Sequence, residues 1–180
     1  MIQLAVYSLL ALIIYTYLGY PIIIVLLSKI FKRRLNIDHQ FIPTVSWVVP
    51  SYNEEGIIAD KIRNLLQLDY PDDRLEIIII TDGSTDETPL IASKFPEVKV
   101  LHEDRRGGKS AAENRAMKFV SGDIVVFNDA NTIVSKNALK EMVKHYADPI
   151  VGGVSGAKGI IVEDGDTAES KGEGLYWRYE

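Results

Sequence analysis

From Leu4 to Leu27 no side chain carries a charge. As a helix rising ~1.5 Å per residue, this stretch spans about 36 Å, enough to cross a ~30 Å hydrocarbon core with some tilt. It predicts a transmembrane helix within residues 1–30. Gly19 and Pro21 predict a kink or weak point in its second half, which a membrane helix tolerates because neighbours satisfy the freed backbone groups. A cleaved signal peptide is the competing reading, but Met1-Ile2-Gln3 has no basic residue and the apolar run is too long. Lys29, Lys32, Arg33 and Arg34 follow directly, and cationic flanks stay on the cytoplasmic side. The expectation is a plasma-membrane protein with its N-terminus outside, a basic and polar linker over 31–43, and a cytoplasmic domain over 44–180.

Charge and cysteine content narrow what that domain binds. Residues 1–40 hold four basic residues and one acid, against chain totals of 20 and 25. The remainder therefore has 16 basic and 24 acidic residues, a formal charge of −8. This balance argues against nucleic acid as a partner, and a bound anion needs local help from a metal or a placed lysine. The chain has no cysteine, which excludes disulfides and thiolate sites. His39, His102 and His145 share no ligand spacing, which argues against zinc.

After the linker, strand and helix patterns alternate. Val45, Trp47, Val48 and Val49 read as a strand running into Pro50-Ser51-Tyr52-Asn53-Glu54-Glu55-Gly56, and Ile57, Ile58, Ile62, Leu65 and Leu66 recur at helical spacing. Leu75 to Ile80, with four consecutive isoleucines, suits a parallel strand buried on both faces. It leads into Thr81-Asp82-Gly83-Ser84-Thr85-Asp86-Glu87, where Ser84 and Glu87 form a capping-box pattern for a helix reaching about Lys94. A third strand, Val98 to Leu101, precedes Arg105-Arg106-Gly107-Gly108-Lys109-Ser110. Ser110 with Glu113 repeats the capping pattern for a helix whose apolar side is Ala112, Ala116, Phe119 and Val120. The strand Ile124 to Phe127 ends at Asn128-Asp129-Ala130-Asn131, a helix is expected from Ser135 to Tyr146, and Val151 to Val162 reads as a strand or hairpin. This order implies a mostly parallel, doubly wound α/β sheet with helices on both faces and right-handed crossovers.

In such sheets ligands bind at the carboxyl ends of the strands, where the polar loops of this chain collect. Asp129 and Asn131 can point oxygens at one hard cation, Mg²⁺ or Mn²⁺, although Asp and Asn also suit an ordinary turn. Tyr52 can stack on a base, with Asn53 and Glu54 meeting its edge. Asp82 can accept a nucleobase N–H or merely cap a turn. At Gly108 bare backbone admits a phosphate, and the Lys109 ammonium offsets its charge. Gly-Gly-Lys-Ser also fits the end of a P-loop, but that motif wants glycine at position 103, which is Glu103.

The ordered set Val48-Val49-Pro50-Ser51-Tyr52-Asn53-Glu54-Glu55, Thr81-Asp82-Gly83-Ser84-Thr85-Asp86, Arg106-Gly107-Gly108-Lys109 and Asp129-Ala130-Asn131 resembles the family 2 glycosyltransferases of the GT-A fold. More narrowly it is similar to membrane-bound polysaccharide synthases such as poly-N-acetylglucosamine synthase. The resemblance implies inverting transfer from a nucleotide-sugar donor, usually a UDP-sugar, to a glycan or lipid-linked acceptor. It implies that Pro50, Tyr52, Asn53 and Glu54 border the base and ribose, that Asp82 contacts the uracil edge, and that Gly108 and Lys109 lie near the nucleotide. Asp129 would take the first position of the DxD motif beside a divalent metal and the diphosphate. Asn131 replaces that motif's second carboxylate, so weaker metal binding is expected. The later acidic motif that supplies the family's base is not found, nor is Gln-x-x-Arg-Trp, since Trp177-Arg178 is preceded by Leu175 where the Gln belongs. The expectation is therefore the donor-binding, N-terminal portion of a longer enzyme. A non-catalytic nucleotide-sugar-binding module at the membrane is the alternative, followed by a P-loop NTPase.

Overall fold

A computed structural model describes residues 2–31 and 35–157. Lys32, Arg33 and Arg34, the latter part of the Val151–Val162 segment, and Trp177-Arg178 lie outside the described residues. The chain forms two compact units, Met1–Asn36 and Ile37–Glu180.

In the first unit, α1 (Ile2–Ile14) runs through a π-helical turn, Tyr15–Gly19, into α2 (Tyr20–Ile30). The resulting 29-residue helix is long and apolar enough to cross a membrane. The expected weak point is that π turn, where the Tyr20 N–H reaches back to the Tyr15 carbonyl. Pro21 has no N–H to give the carbonyl four residues back, and a widened turn just before it absorbs the mismatch.

The second unit is built on four parallel strands: β1 (Val45–Ser51), β2 (Leu75–Asp82), β3 (Val98–Glu103) and β4 (Ile124–Phe127), in the order β3-β2-β1-β4. Alternate residues face opposite layers, as the period of a strand requires. Val45, Trp47, Val49, Ile77 and Ile79 pack against α3 (Ile58–Leu66), α4 (Thr88–Ala92) and α6 (Ala138–Val143) through Ile58, Ile62, Leu65, Ala92, Leu139 and Val143. Val48, Ile78 and Ile80 face the other way, against Ala112 and Ala116 of α5 (Lys109–Ala116). The isoleucine run is thus buried on both faces, every member fully or nearly so.

Several local expectations are corrected. Neither capping box forms: α4 begins at Thr88, and Ser84 instead accepts the Asn53 N–H at 3.2 Å. Asp86 takes over the local capping, accepting both the N–H and the hydroxyl of Thr88. Helix α5 begins at Lys109 without a side-chain cap, so Ser110 lies inside it, and it ends at Ala116, short of Val120. The last helix starts at Ala138 and tightens into a 3₁₀ turn over Lys144–Ala147. Residues 151–157 form no strand.

Candidate active site

Going outward from β1, the sheet grows to β2 and β3 on one side and to β4 on the other, so its winding reverses between β1 and β4. At such a switch point the loops leaving adjacent strands diverge to opposite faces and open a crevice. A cleft of about 320 Å³ lies at this edge, lined by Pro50, Tyr52, Glu54, Asp82, Gly108, Lys109, Asp129 and Asn131. All but one of the residues singled out from sequence therefore meet there. A larger cleft, of about 580 Å³, lies at the opposite edge beside Ile124, where β4 begins, with Arg74 and Asp123 in its wall. It is remote from these groups.

Asn53 is the exception. Its backbone is in the left-handed region (φ 52°), which Asn tolerates better than most residues. Its amide closes on the neighbouring turn, accepting the Thr85 N–H at 2.9 Å and donating to Thr85 Oγ1 at 3.3 Å. Asn53 thus ties the loop after β1 to the loop after β2.

Asp82, at the end of β2, is 4% exposed. Its Oδ2 accepts the N–H groups of Gly107 (2.8 Å) and Gly108 (2.6 Å), and its Oδ1 accepts from Arg115 Nη1 (3.2 Å). Burial pushes its pKa up, but the Gly108 and Gly107 bonds and the Arg115 guanidinium outweigh this and hold it below the ordinary carboxylate value. Gly83 lets the same two loops close. It has φ +69°, and a Cβ there would lie 2.6 Å from the Arg106 Cβ and 2.7 Å from its N. The Arg106 guanidinium carbon in turn sits 3.8 Å from the Tyr52 ring centroid, covering one face of the ring.

At the other end of the cleft, Lys109 Nζ donates to Asp129 Oδ1 at 2.6 Å, with about half of each side chain in solvent. That bond raises the Lys109 pKa. Beneath this corner lies Lys61, only 3% exposed, on the buried face of α3 with Ile58, Ile62 and Leu65. Its ammonium donates to Asn128 Oδ1, to the Thr132 carbonyl at 2.7 Å and to Thr132 Oγ1 at 3.3 Å. Burial lowers its pKa to about 8, opposed by the nearby Asp129 carboxylate. Sequence reasoning assigned a role to neither Lys61 nor Arg106. The signal for Lys61 was its spacing, three after Ile58 and four before Leu65, which places a lysine on an apolar face.

The sequence profile described as "Glycosyl transferase family 2" matches residues 46–176. The chain belongs to this family. It is 38% identical over 127 residues to the beta-monoglucosyldiacylglycerol synthase of Synechocystis sp., covering 67% of this chain and 26% of that protein. To the poly-beta-1,6-N-acetyl-D-glucosamine synthase of Staphylococcus epidermidis it is 33% identical, covering 72% and 32%. The chain thus spans about a quarter to a third of the length of these relatives. A mannosyltransferase from Pyrobaculum calidifontis, solved with GDP-Man and Mn²⁺, superposes with TM-score 0.67 at 33% identity, covering 77% of this chain and 43% of that one. The GT-A expectation holds, and family 2 membership takes the place of the P-loop reading.

Proposed function

We propose that this family 2 chain binds a nucleoside-diphosphate sugar, with UDP as the nucleotide, in the cleft between β1 and β4, and supplies the donor side of an inverting glycosyl transfer at a membrane. The observation that carries the proposal is the pairing, in one cleft, of an aromatic face (Tyr52 under Arg106) with a charged corner (Lys109 and Asp129). A flat ring suits the first and a diphosphate the second.

Asp129 and Asn131 bring one carboxylate and one amide oxygen, and no group of three or more metal-binding side chains exists among the described residues. Mg²⁺ and related ions typically use one or two carboxylates together with substrate phosphates and water, so this donor set fits a cation completed by the donor itself. When bound, the cation supplies neutralisation of charge growing on the departing diphosphate. The chain's own residues orient the donor: Tyr52 and Glu54 border the nucleoside, while the Gly108 backbone and Lys109 meet the phosphates. An acceptor hydroxyl then attacks the anomeric carbon as its bond to the phosphate oxygen breaks, with the hydroxyl proton passing to a base. The acceptor class proposed is a glycan or a lipid-linked molecule. The relatives named above act in making a glycolipid and a polysaccharide, and the Ile2–Ile30 helix would hold the cleft at a membrane surface.

Calorimetric titration of UDP, GDP and ATP into the full chain in detergent, with and without Mn²⁺, tests this reading. UDP is expected to bind more tightly than ATP, with a Mn²⁺ enhancement lost in Asp129→Ala. Tighter GDP binding would move the donor to the class seen in the mannosyltransferase. Binding of none of the three would overturn the proposal.

A further inference from the structure

One buried charge that the donor reading leaves unused is Lys61. It is nearly inaccessible, sits on a helix face otherwise made of Ile58, Ile62 and Leu65, and makes no ion pair within 4.0 Å among the described residues. Among the described residues its ammonium donates to neutral oxygens of one short segment: the Asn128 side chain, the Thr132 carbonyl and the Thr132 hydroxyl. Burying an ammonium against neutral partners is costly, and an apolar side chain of similar length would fill the space without that cost. What the lysine adds is a clamp with three acceptors, closing both ends of the segment that carries Asp129 and Asn131. The Thr132 hydroxyl closes the same turn by donating to the Asp129 carbonyl at 2.8 Å. The contact spans 67 to 71 residues of sequence, so it fixes the corner after β4 to the helix after β1, beneath the corner that carries Asp129 and Asn131.

We propose that Lys61 is a positioning residue for the diphosphate half of the cleft: by holding Asn128 and Thr132 from below, it keeps Asp129 turned toward the donor's phosphates. The inference rests on the donor reading and deepens it. Lys61 does not line the cleft, and its hydrogen bonds among the described residues reach it through the 128–132 segment. The nucleoside half, held by Asn53, Asp82 and Arg106, is tied by a separate set of bonds. Loss of the clamp should therefore weaken recognition of phosphate and leave recognition of nucleoside intact.

The test compares UDP with uridine, both with Mn²⁺ present, by competition against a fluorescent uridine nucleotide, on the full chain in detergent and on Lys61→Met, Asn128→Leu and the double variant. Lys61→Met is expected to weaken UDP about tenfold or more and to change uridine less than about twofold. The double variant should be little worse than the worse single one, since both substitutions break the same clamp. If Lys61→Met fails to fold, Asn128→Leu alone carries the same comparison. Equal weakening of UDP and uridine would mean that Lys61 merely supports the fold, and unchanged UDP binding would mean that the corner stands without it; either overturns the proposal. If the unsubstituted chain binds neither UDP nor GDP, the donor reading itself has failed and this inference falls with it. A chain that binds UDP while Lys61→Met discriminates nothing refutes only the clamp.

Discussion

Two aspartates stand at the same edge of the sheet and are used in opposite ways. Asp82, at the end of β2, is buried and accepts from three neighbours, whereas Asp129, just past β4, is half exposed with the exposed Lys109 as its ion-pair partner. A carboxylate that has given its lone pairs to backbone N–H groups and a guanidinium shapes the loop over it. A carboxylate in solvent with one exchangeable partner is available to a ligand. The cleft thus has a built half, where bonds between loops hold Tyr52 and Arg106, and an open half, where charge is held ready.

The largest expected effect tests the built half. Asp82→Ala removes the acceptor of Gly107 and Gly108 and takes the carboxylate partner from Arg115, whose mostly buried side chain keeps, among the described residues, only neutral acceptors such as the Thr81 carbonyl. Breaking a buried pair by deleting one partner costs about 3 kcal/mol or more, measurable by denaturant unfolding of the chain in detergent. The pH dependence has a definite sign. Because the folded-state pKa of Asp82 is depressed, its stabilisation is complete above its ordinary value near pH 4 and fades as the pH falls below that, so the gap between the wild-type chain and Asp82→Ala should narrow in acid. A gap that is absent at neutral pH would show that Asp82 is not a latch and would return it to the ranks of free ligand-binding groups.

Lys61 gives the next largest signal, with the opposite pH window. Its pKa falls from 10.5 to about 8 on folding, so the cost of burying the ammonium is present in full below about pH 8 and is relieved as the pH rises towards 10.5. At ~1.36 kcal/mol per unit, the wild-type chain should gain up to roughly 3 kcal/mol on Lys61→Met across that interval. Unfolding both proteins at pH 7 and pH 10 measures the difference, in which their common titrations cancel. A pH-independent difference would mean that the amine is solvated or already neutral, and that the open half lacks a buried charge beneath it.

Much of this arrangement was legible from residue order. Ile77–Ile80 reads as a strand buried on two faces, Ile58, Ile62 and Leu65 mark a helix face, and each strand ends in a polar loop; these are short-range patterns that tertiary packing reinforces. The helix starts were misread because capping signals are local while their partners here are distant. Ser84 is drawn off by Asn53, 31 residues away, and the loop entering α5 is held by Asp82, 25 residues away, so Ser110 has no cap to make. The same physics hid Lys61 and Arg106. A charged residue gains its meaning from the oxygens or the ring it meets, and those lie on other strands' loops.

Within the built half, Arg106 lies over the Tyr52 ring. A partly exposed cation–π contact contributes about 0.5–1 kcal/mol, so Arg106→Ala should cost little in stability. It would nevertheless uncover one face of the ring. If a base stacks there, the substitution should change uridine affinity at least as much, in proportion, as it changes UDP affinity, the reverse of the pattern expected for Lys61→Met. A loss confined to UDP would move Arg106 from the nucleoside side to the phosphate side.

Lys109→Ala should have the smallest effect on stability. Its pair with Asp129 is exposed, and such pairs contribute between nothing and about 1 kcal/mol, less as salt rises because surface charges are screened within about 10 Å at 0.1 M. Unfolding of Lys109→Ala is therefore expected to match the wild-type chain within about 0.5 kcal/mol, while UDP affinity falls several-fold and loses part of its salt dependence. Both readings are needed together. A stability loss as large as that of Asp82→Ala would mean that the Lys109–Asp129 contact is a second latch, and the division of the cleft into built and open halves would collapse. Unchanged stability with unchanged UDP affinity would keep the division but remove Lys109 from the phosphate site, leaving Asp129 to meet the diphosphate only through a cation.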